Sequence, residues 1–403
     1  MAIHTCIIGG GAIGSALSYW LATMGDGREV VVVDPDFTGE LACTTRSAAA
    51  FRVQFNLSAN TALSLASADF FRRASDLLSV EGVTTDIGFE SVPYLVLAGW
   101  DGIERLRSAH RRQVEAGANV AFLGDTESLV TAAPWLRADG VGAATLGLSG
   151  EGWVDPKALL LALQCKSRSL GVQHVSDRVT GLVRQNDRVA KVALATGKRI
   201  EAREVVICAG AHSAEIAALA GVTLPIEPRK RTAFVFCAPR PVSGFCNLVD
   251  PTFANRGVYA RPFGENFLAV TSPSPEQDVA THDLTPDIAL FESIVKPALA
   301  RRVDGLQEMT LLRAWAGSYE INTFDQNAVI GRHPDLKNLY FSCGYSGHGV
   351  MHAPAAGQAL AELLLMGRYS SLDLSPFCFE RIANGSRLDD VQASEHRENS
   401  AGV

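Results

Sequence analysis

The chain has 403 residues, 47% of them hydrophobic, and its 36 Lys+Arg against 43 Asp+Glu give a formal net charge of −7. At roughly 100–200 residues per domain this length predicts two or three domains with ample core. An acidic balance without a basic run excludes non-specific nucleic-acid binding, because recognition of a phosphate backbone needs many Lys/Arg contacts.

From the N-terminus, Ile3–Ile8 reads as a short apolar strand. A glycine turn follows, and then Ile13, Leu17, Trp20, Leu21 and Met24 recur at helical spacing. Val30-Val31-Val32-Val33, ending in Asp34, suits a second parallel strand buried on both faces, so the opening is a β-α-β unit. Asp155-Pro156 starts a helix through Leu159–Leu163 that ends with Lys166, Arg168 and Gly171, so cap, first-turn proline, terminal cations and terminal glycine agree. Val172–Val175, Val179–Arg184 and Val189–Leu194 are predicted strands. Val205–Cys208 is another, running into Ala209-Gly210 and a helix from Ser213 to Leu219. Thr232–Phe236, Gly257–Arg261 and Asn266–Thr271 form a β-rich stretch, Pro286–Leu299 a helix broken at Pro297, and Leu339–Cys343 a strand leading through glycines into a helix ending near Met366. Beyond Asn384 the chain is polar and expected to fray.

The eight cysteines are scattered singly, with no C-x-x-C pair, and read as reduced thiols of an intracellular, cytoplasmic protein; no metal site is expected. The apolar start, Ile3 to Met24, lacks a basic lead and is interrupted by Gly9, Gly10, Gly11 and Gly14, so neither a signal peptide nor a transmembrane span is expected. Peripheral membrane contact stays open.

Gly9-x-Gly11-x-x-Gly14 follows a strand and opens a helix, and Asp34 closes the next strand twenty residues on. The glycines allow a tight turn and close backbone approach, the helix N-terminus faces a pyrophosphate, and the carboxylate accepts a ribose hydroxyl. Gly9, Gly11, Ala12, Ile13, Gly14 and Asp34 are therefore expected to bind a dinucleotide. NAD and FAD share this pattern. A second glycine turn, Gly344-Tyr345-Ser346-Gly347-His348-Gly349, opens the last helix and favours a flavin, whose reduced ring gains from a second helix N-terminus.

Five segments appear in the order found in FAD-dependent amine and amino-acid oxidoreductases of the D-amino-acid oxidase superfamily. They are the opening fingerprint, Ala42–Ala49, Val205–Ser213, Pro228–Phe234 and Gly344–Gly349. Over about Ile3 to Met366 the chain resembles the D-arginine dehydrogenase and sarcosine-oxidase-like members. The resemblance implies an α/β, two-domain flavoprotein: a Rossmann-like FAD-binding domain from 1–85, 145–225 and 325–385, a mixed β-sheet substrate domain from 86–144 and 226–324, and a polar tail, 386–403. It adds Thr45, Arg46, Ser47, Ala48, Val179, Ala209, Gly210, Gly344, Gly347, His348, Gly349 and Val350 to the cofactor-binding set. His348 is expected to act through its backbone more than its ring.

The implied chemistry is oxidation of the C–N bond of a small amino or imino (N-alkyl amino) acid by hydride transfer to flavin, the imine then being hydrolysed. The implied partners are a carboxylate-bearing amine and an electron acceptor, quinone or oxygen. Tyr259 matches a tyrosine roofing the pocket and Arg231 an active-site arginine, while Arg52 falls where sarcosine oxidases carry a carboxylate-binding arginine. Against D-arginine dehydrogenase the chain departs at Ala50, Phe55, Pro93 and Tyr319, which argues against a cationic substrate. The covalent-flavin cysteine expected within Ser318–Asp325 is absent, so FAD is expected to be non-covalent. The oxygen-activating lysine position matches Ala269 or Val270, which favours a dehydrogenase. A 2-hydroxy-acid dehydrogenase, or a flavoprotein subunit of an electron-transfer or assembly complex, are the alternatives; a homo- or hetero-oligomer is left open.

Overall fold

The computed structural model describes residues 3–253 and 256–388. A six-stranded sheet runs in the order Val329–Arg332, Leu339–Cys343, Ala202–Ile207, Ile3–Ile8, Val30–Asp34, Gln173–Ser176. All its neighbours are parallel except the Val329–Arg332 edge. The valine run explains itself here. Val30 and Val32 join one apolar core and Val31 and Val33 the other, so the strand is covered on both faces. One face is covered by the helices Ala12–Met24, Pro156–Ser169 and Gly349–Met366. Trp20 fastens the first of these to the last by donating its indole N–H to the Pro354 carbonyl at 2.9 Å.

An eight-stranded mixed sheet follows the order Thr310–Asn322, Ile226–Cys237, Asn266–Thr271, Arg256–Phe263, Asn247–Phe253, Tyr94–Ala98, Ala143–Gly147, Val120–Leu123. Its one parallel pairing sets Asn247 opposite Tyr94, which brings two distant segments to one wall. A smaller antiparallel sheet holds Val179–Gln185, Arg188–Leu194 and Arg199–Ile200. A second small antiparallel sheet joins Ala50–Phe51, Gly152–Trp153 and Glu90–Ser91, between the two large sheets in the chain's path.

The Asp155 carboxylate caps the amides of Lys157 and Ala158 at 2.8 and 2.9 Å, as its spacing predicts. The helix expected over Pro286–Leu299 starts later and is not broken at Pro297: a wide turn at Phe291–Val295 leads into a helix over Lys296–Arg302. The two are continuous, Val295 and Lys296 both having helical backbone, and the wide turn just before Pro297 accommodates its missing N–H. The C-terminal tail is not wholly frayed. Leu388 donates its N–H to Asp325 at 3.2 Å and Ser386 to the Arg381 carbonyl at 2.7 Å, while residues 389–403 lie outside the described residues. No helix among the described residues is long and apolar enough to cross a membrane.

Candidate functional site

The fingerprint turn is built by close backbone approach. Gly9 has φ +111°, and a Cβ there would sit 2.2 Å from the Cys208 carbonyl oxygen of the neighbouring strand. A Cβ on Gly14 would lie 1.9 Å from the Gly9 oxygen, so Gly14 lets the helix press onto the turn. Asp34 reaches back to the same turn. It accepts the Gly10 N–H at 2.6 Å and the Asp36 N–H at 2.8 Å. Burial pushes its carboxyl up from the ordinary range, and these two amides pull it down.

From here a cavity of about 630 Å³ extends to the second glycine turn. Of the sequence-predicted cofactor residues, Gly9, Gly11, Ala12, Ile13, Asp34, Ser47, Val179, Ala209, Gly210, Gly347, Gly349 and Val350 line it together. Gly14 supports the turn from behind. Thr45 spends its hydroxyl on the carbonyls of Gly39 and Ala42, and Arg46 donates to Glu40 and Ala316 carbonyls at 2.9 Å. Gly344 donates its N–H to Glu320 at 2.8 Å. Thr45, Arg46 and Gly344 thus shape the wall from outside, Ala48 lines a neighbouring cavity, and His348 lines neither cavity but contacts Arg52. Sequence reasoning missed Thr44, Cys43, Arg178 and Glu320, all of which line the cavity. Thr44 also accepts the Ala12 N–H at 3.0 Å, where helix N-termini want an oxygen. The Ala42–Ala49 motif contained that signal. Burial raises Glu320 to about 7, with the Gly344 amide opposing.

A second cavity of about 40 Å³ adjoins the first, sharing Ser47, Tyr319, Gly347 and Val350 with it. Arg52, Tyr94, Tyr259, Ala48, Ala49, Ala50, Val270 and Met351 complete its lining. Arg52 lies 4.7 Å over the Phe55 ring and donates to His348 Nε2 at 3.2 Å. Burial first, then Arg52, holds His348 well below its ordinary range, so it stays neutral and its Nε2 can accept that bond. Tyr259 stacks on Tyr94 at 5.7 Å and donates its hydroxyl to Asn247 at 2.7 Å. Burial raises its phenol to about 12.

Under this pocket Glu151 is a buried tie. Its carboxylate accepts the N–H groups of Val53 (3.1 Å) and Tyr94 (2.7 Å) and the amide of Gln54, joining the Arg52 segment to the Tyr94 strand. Burial raises it to about 7 against the pull of the Tyr94 and Val53 amides. The sequence placed neither Tyr94 nor Glu151 in the site, because the contact is made by sheet pairing across distant segments.

Arg231 is placed differently from Arg52. Its guanidinium makes a bidentate pair with Asp278 at 2.7 and 2.9 Å and lies 5.4 Å from the Tyr319 ring centroid. It backs the tyrosine that forms the cavity wall.

The family model described as FAD dependent oxidoreductase (DAO) matches residues 4–363. The chain is 36% identical to FAD-dependent oxidoreductase domain-containing protein 1 of Bos taurus, the match covering 95% of this chain and 85% of that protein. It is 26% identical to glycine oxidase of Geobacillus kaustophilus over 93% of this chain and 96% of the relative. Among solved structures it superposes on L-proline dehydrogenase from P. horikoshii with a TM-score of 0.83 at 25% identity, covering 96% of this chain and 99% of the other.

Proposed function

The chain belongs to the DAO family of FAD dependent oxidoreductases, and on that basis we propose that it oxidises the C–N bond of a small amino or N-alkyl amino acid. FAD is its cofactor, and the residues fit that group. The Gly9 and Gly14 cradle, the inward carboxylate of Asp34 and the length of the 630 Å³ cavity suit an extended dinucleotide. Gly9–Gly14 would hold the pyrophosphate, Asp34 a ribose hydroxyl, and the Gly347–Val350 turn the end beside the small cavity. When bound, FAD supplies a two-electron acceptor. Non-covalent attachment is supported by the two thiols that line the cavity, Cys43 and Cys208, since burial pushes the ionisation of both well up and so away from nucleophilic thiolate.

The observation that carries the substrate reading is the position of Arg52, a donor fork in a small apolar and tyrosine-lined pocket that shares a wall with the cofactor cavity. The guanidinium anchors the substrate carboxylate, Tyr259 and Tyr94 close the pocket, and neutral His348 orients the Arg52 fork. Arg231 acts as a positioning residue, holding Tyr319. A volume near 40 Å³ suits a short side chain. Of Ala269 and Val270, the two positions matched to an oxygen-activating lysine, Val270 lines the small cavity and presents an apolar wall, which supports a dehydrogenase passing electrons to a quinone-class acceptor. The domain division 1–85, 145–225 and 325–385 against 86–144 and 226–324 belongs to the same proposal; the six-stranded sheet draws on the first set, and the eight-stranded one on the second apart from the end of Ala143–Gly147.

The test is an anaerobic panel of D-, L- and N-alkyl amino acids with parallel 2-hydroxy acids, scored by bleaching of the flavin spectrum, then reoxidation by air or a quinone. Bleaching by a small amine carboxylate supports the reading. Bleaching by hydroxy acids alone, or by nothing in the panel, overturns it.

A further inference from the structure

At the mouth of the larger cavity three side chains converge that neither the fingerprint nor the substrate pocket uses. His212 ends the turn after the strand Ala202–Ile207, Glu215 opens the next helix, and His282 arrives from the loop after Asn266–Thr271. His212 Nδ1 lies 3.1 Å from one Glu215 oxygen and His282 Nε2 lies 2.9 Å from the other. The two imidazoles are parallel, 4.7 Å apart at 6°. One ligand atom from each of the three residues falls within 4.8 Å of the others, and all three are exposed.

We propose that His212, Glu215 and His282 bind one divalent transition-metal ion of the zinc class, which clamps the 278–283 loop over the cofactor cavity. Zinc takes nitrogen and oxygen ligands at about 2.0–2.2 Å, so neighbouring ligand atoms around it stand roughly 3 Å apart; each imidazole meets its own Glu215 oxygen at 3.1 and 2.9 Å, and the three ligand atoms, within 4.8 Å of one another, close onto one ion by rotation of exposed side chains. Two imidazoles and a carboxylate select zinc, nickel or copper over magnesium and calcium, which prefer oxygen ligands alone. Water completes the shell from the exposed side.

The third ligand is held ready. Thr281 donates its N–H to the Pro228 carbonyl at 2.9 Å, Lys230 pairs with Asp283 at 2.8 Å, and Arg231 pairs with Asp278 at 2.7 Å. His282 therefore rides on a loop stitched to the strand Ile226–Cys237 on both sides, and little ordering is left to do on binding. His212 and His282 both line the cavity, and they come from different layers of the fold. An ion shared between them holds the two rims of the opening together. Sequence reading expected no metal site, because the ligands are brought together across some 70 residues of chain by the packing of the two sheets.

The experiment is calorimetric titration of ZnCl2 into chelator-stripped, FAD-loaded protein in a Cys165→Ser background, which removes an exposed thiol. Flavin release on dilution, followed by fluorescence, is measured with and without the metal. One equivalent should bind and slow flavin release, and His282→Asn and Glu215→Gln should each weaken binding by more than about 100-fold. Absence of binding, or binding that survives both substitutions, overturns the site. Binding that leaves flavin release unchanged overturns the clamp.

Discussion

Replacing Arg52 with Met tests the substrate pocket most directly. The side chain lines the small cavity, is held 4.7 Å over Phe55 and donates to His348 at 3.2 Å. A part-exposed cation–π contact contributes about 0.5–1 kcal/mol, so the variant should lose little stability. The loss should fall on the substrate. A charge-assisted hydrogen bond to a carboxylate is worth about 1.5–3 kcal/mol, which converts to roughly 10- to 100-fold in half-saturating concentration. Arg52→Lys keeps the charge but not the planar fork and should fall between. The assay is stopped-flow flavin reduction under anaerobic conditions against substrate concentration, with benzoate as a carboxylate probe of the flavin spectrum. In Arg52→Met the half-saturating concentration should rise while the limiting rate falls far less, and benzoate should weaken in parallel. An unchanged half-saturation, or a collapse of the limiting rate alone, would refute the anchoring role.

Gly14→Ala should yield folded protein largely stripped of flavin, because its Cβ would stand 1.9 Å from the Gly9 oxygen and overpacking costs about 1–3 kcal/mol at the turn; full flavin content by absorbance would contradict this. Asp250→Ala should destabilise by about 3–5 kcal/mol in urea melts, since Arg302, 1% exposed, would lose its 2.6 Å carboxylate partner. Adding Arg302→Met should recover much of that loss, and no recovery would show that packing, not the stranded charge, is responsible. Glu151 titrates in the fold near 7 against an ordinary value of 4.5. Because the folded value is raised, its contribution to stability is full below about 4.5 and is lost as pH rises through 7, by up to about 3 kcal/mol. Glu151→Gln should therefore gain on the wild type in melting temperature between pH 5 and 8, whereas parallel curves would place the titration elsewhere.

The cofactor half of the site was legible because its determinants are local. Gly9 to Asp34 lie within one β-α-β unit, and glycine is demanded there because a Cβ on Gly9 or Gly14 would stand 2.2 or 1.9 Å from a backbone oxygen. The small cavity, the substrate site of the proposal, was only partly legible. Arg52 and Tyr259 were identified through resemblance, and both reach the small cavity. Tyr94 arrives through a parallel pairing of Tyr94–Ala98 with a strand 150 residues away, which no periodicity encodes. Tyr94–Ala98, Val120–Leu123 and the long strand Thr310–Asn322 also went unpredicted. Their alternation is blurred, since Thr310–Asn322 mixes exposed and buried residues irregularly along one sheet edge.

The segment from Ala42 to Phe55 joins both halves, and its near lack of regular structure is part of how it works. Ala42, Cys43, Thr44 and Ser47 face the large cavity, while Ala48, Ala50 and Arg52 face the small one. A strand could present only alternate residues to one side, so a chain that must line two adjoining cavities in the eleven residues from Ala42 to Arg52 has to turn. It does so at Ala49, which takes φ +49° despite carrying a Cβ. The conformation is held from the second sheet: Arg261 donates to the Ala48 carbonyl at 3.0 Å, Trp315 to the Arg46 carbonyl at 2.9 Å, and Arg46 returns a bond to Ala316 at 2.9 Å. By gripping this loop the eight-stranded sheet sets the distance between Arg52 and the cofactor cavity, so a substitution at Arg261 or Trp315 should alter turnover without either residue lining a cavity.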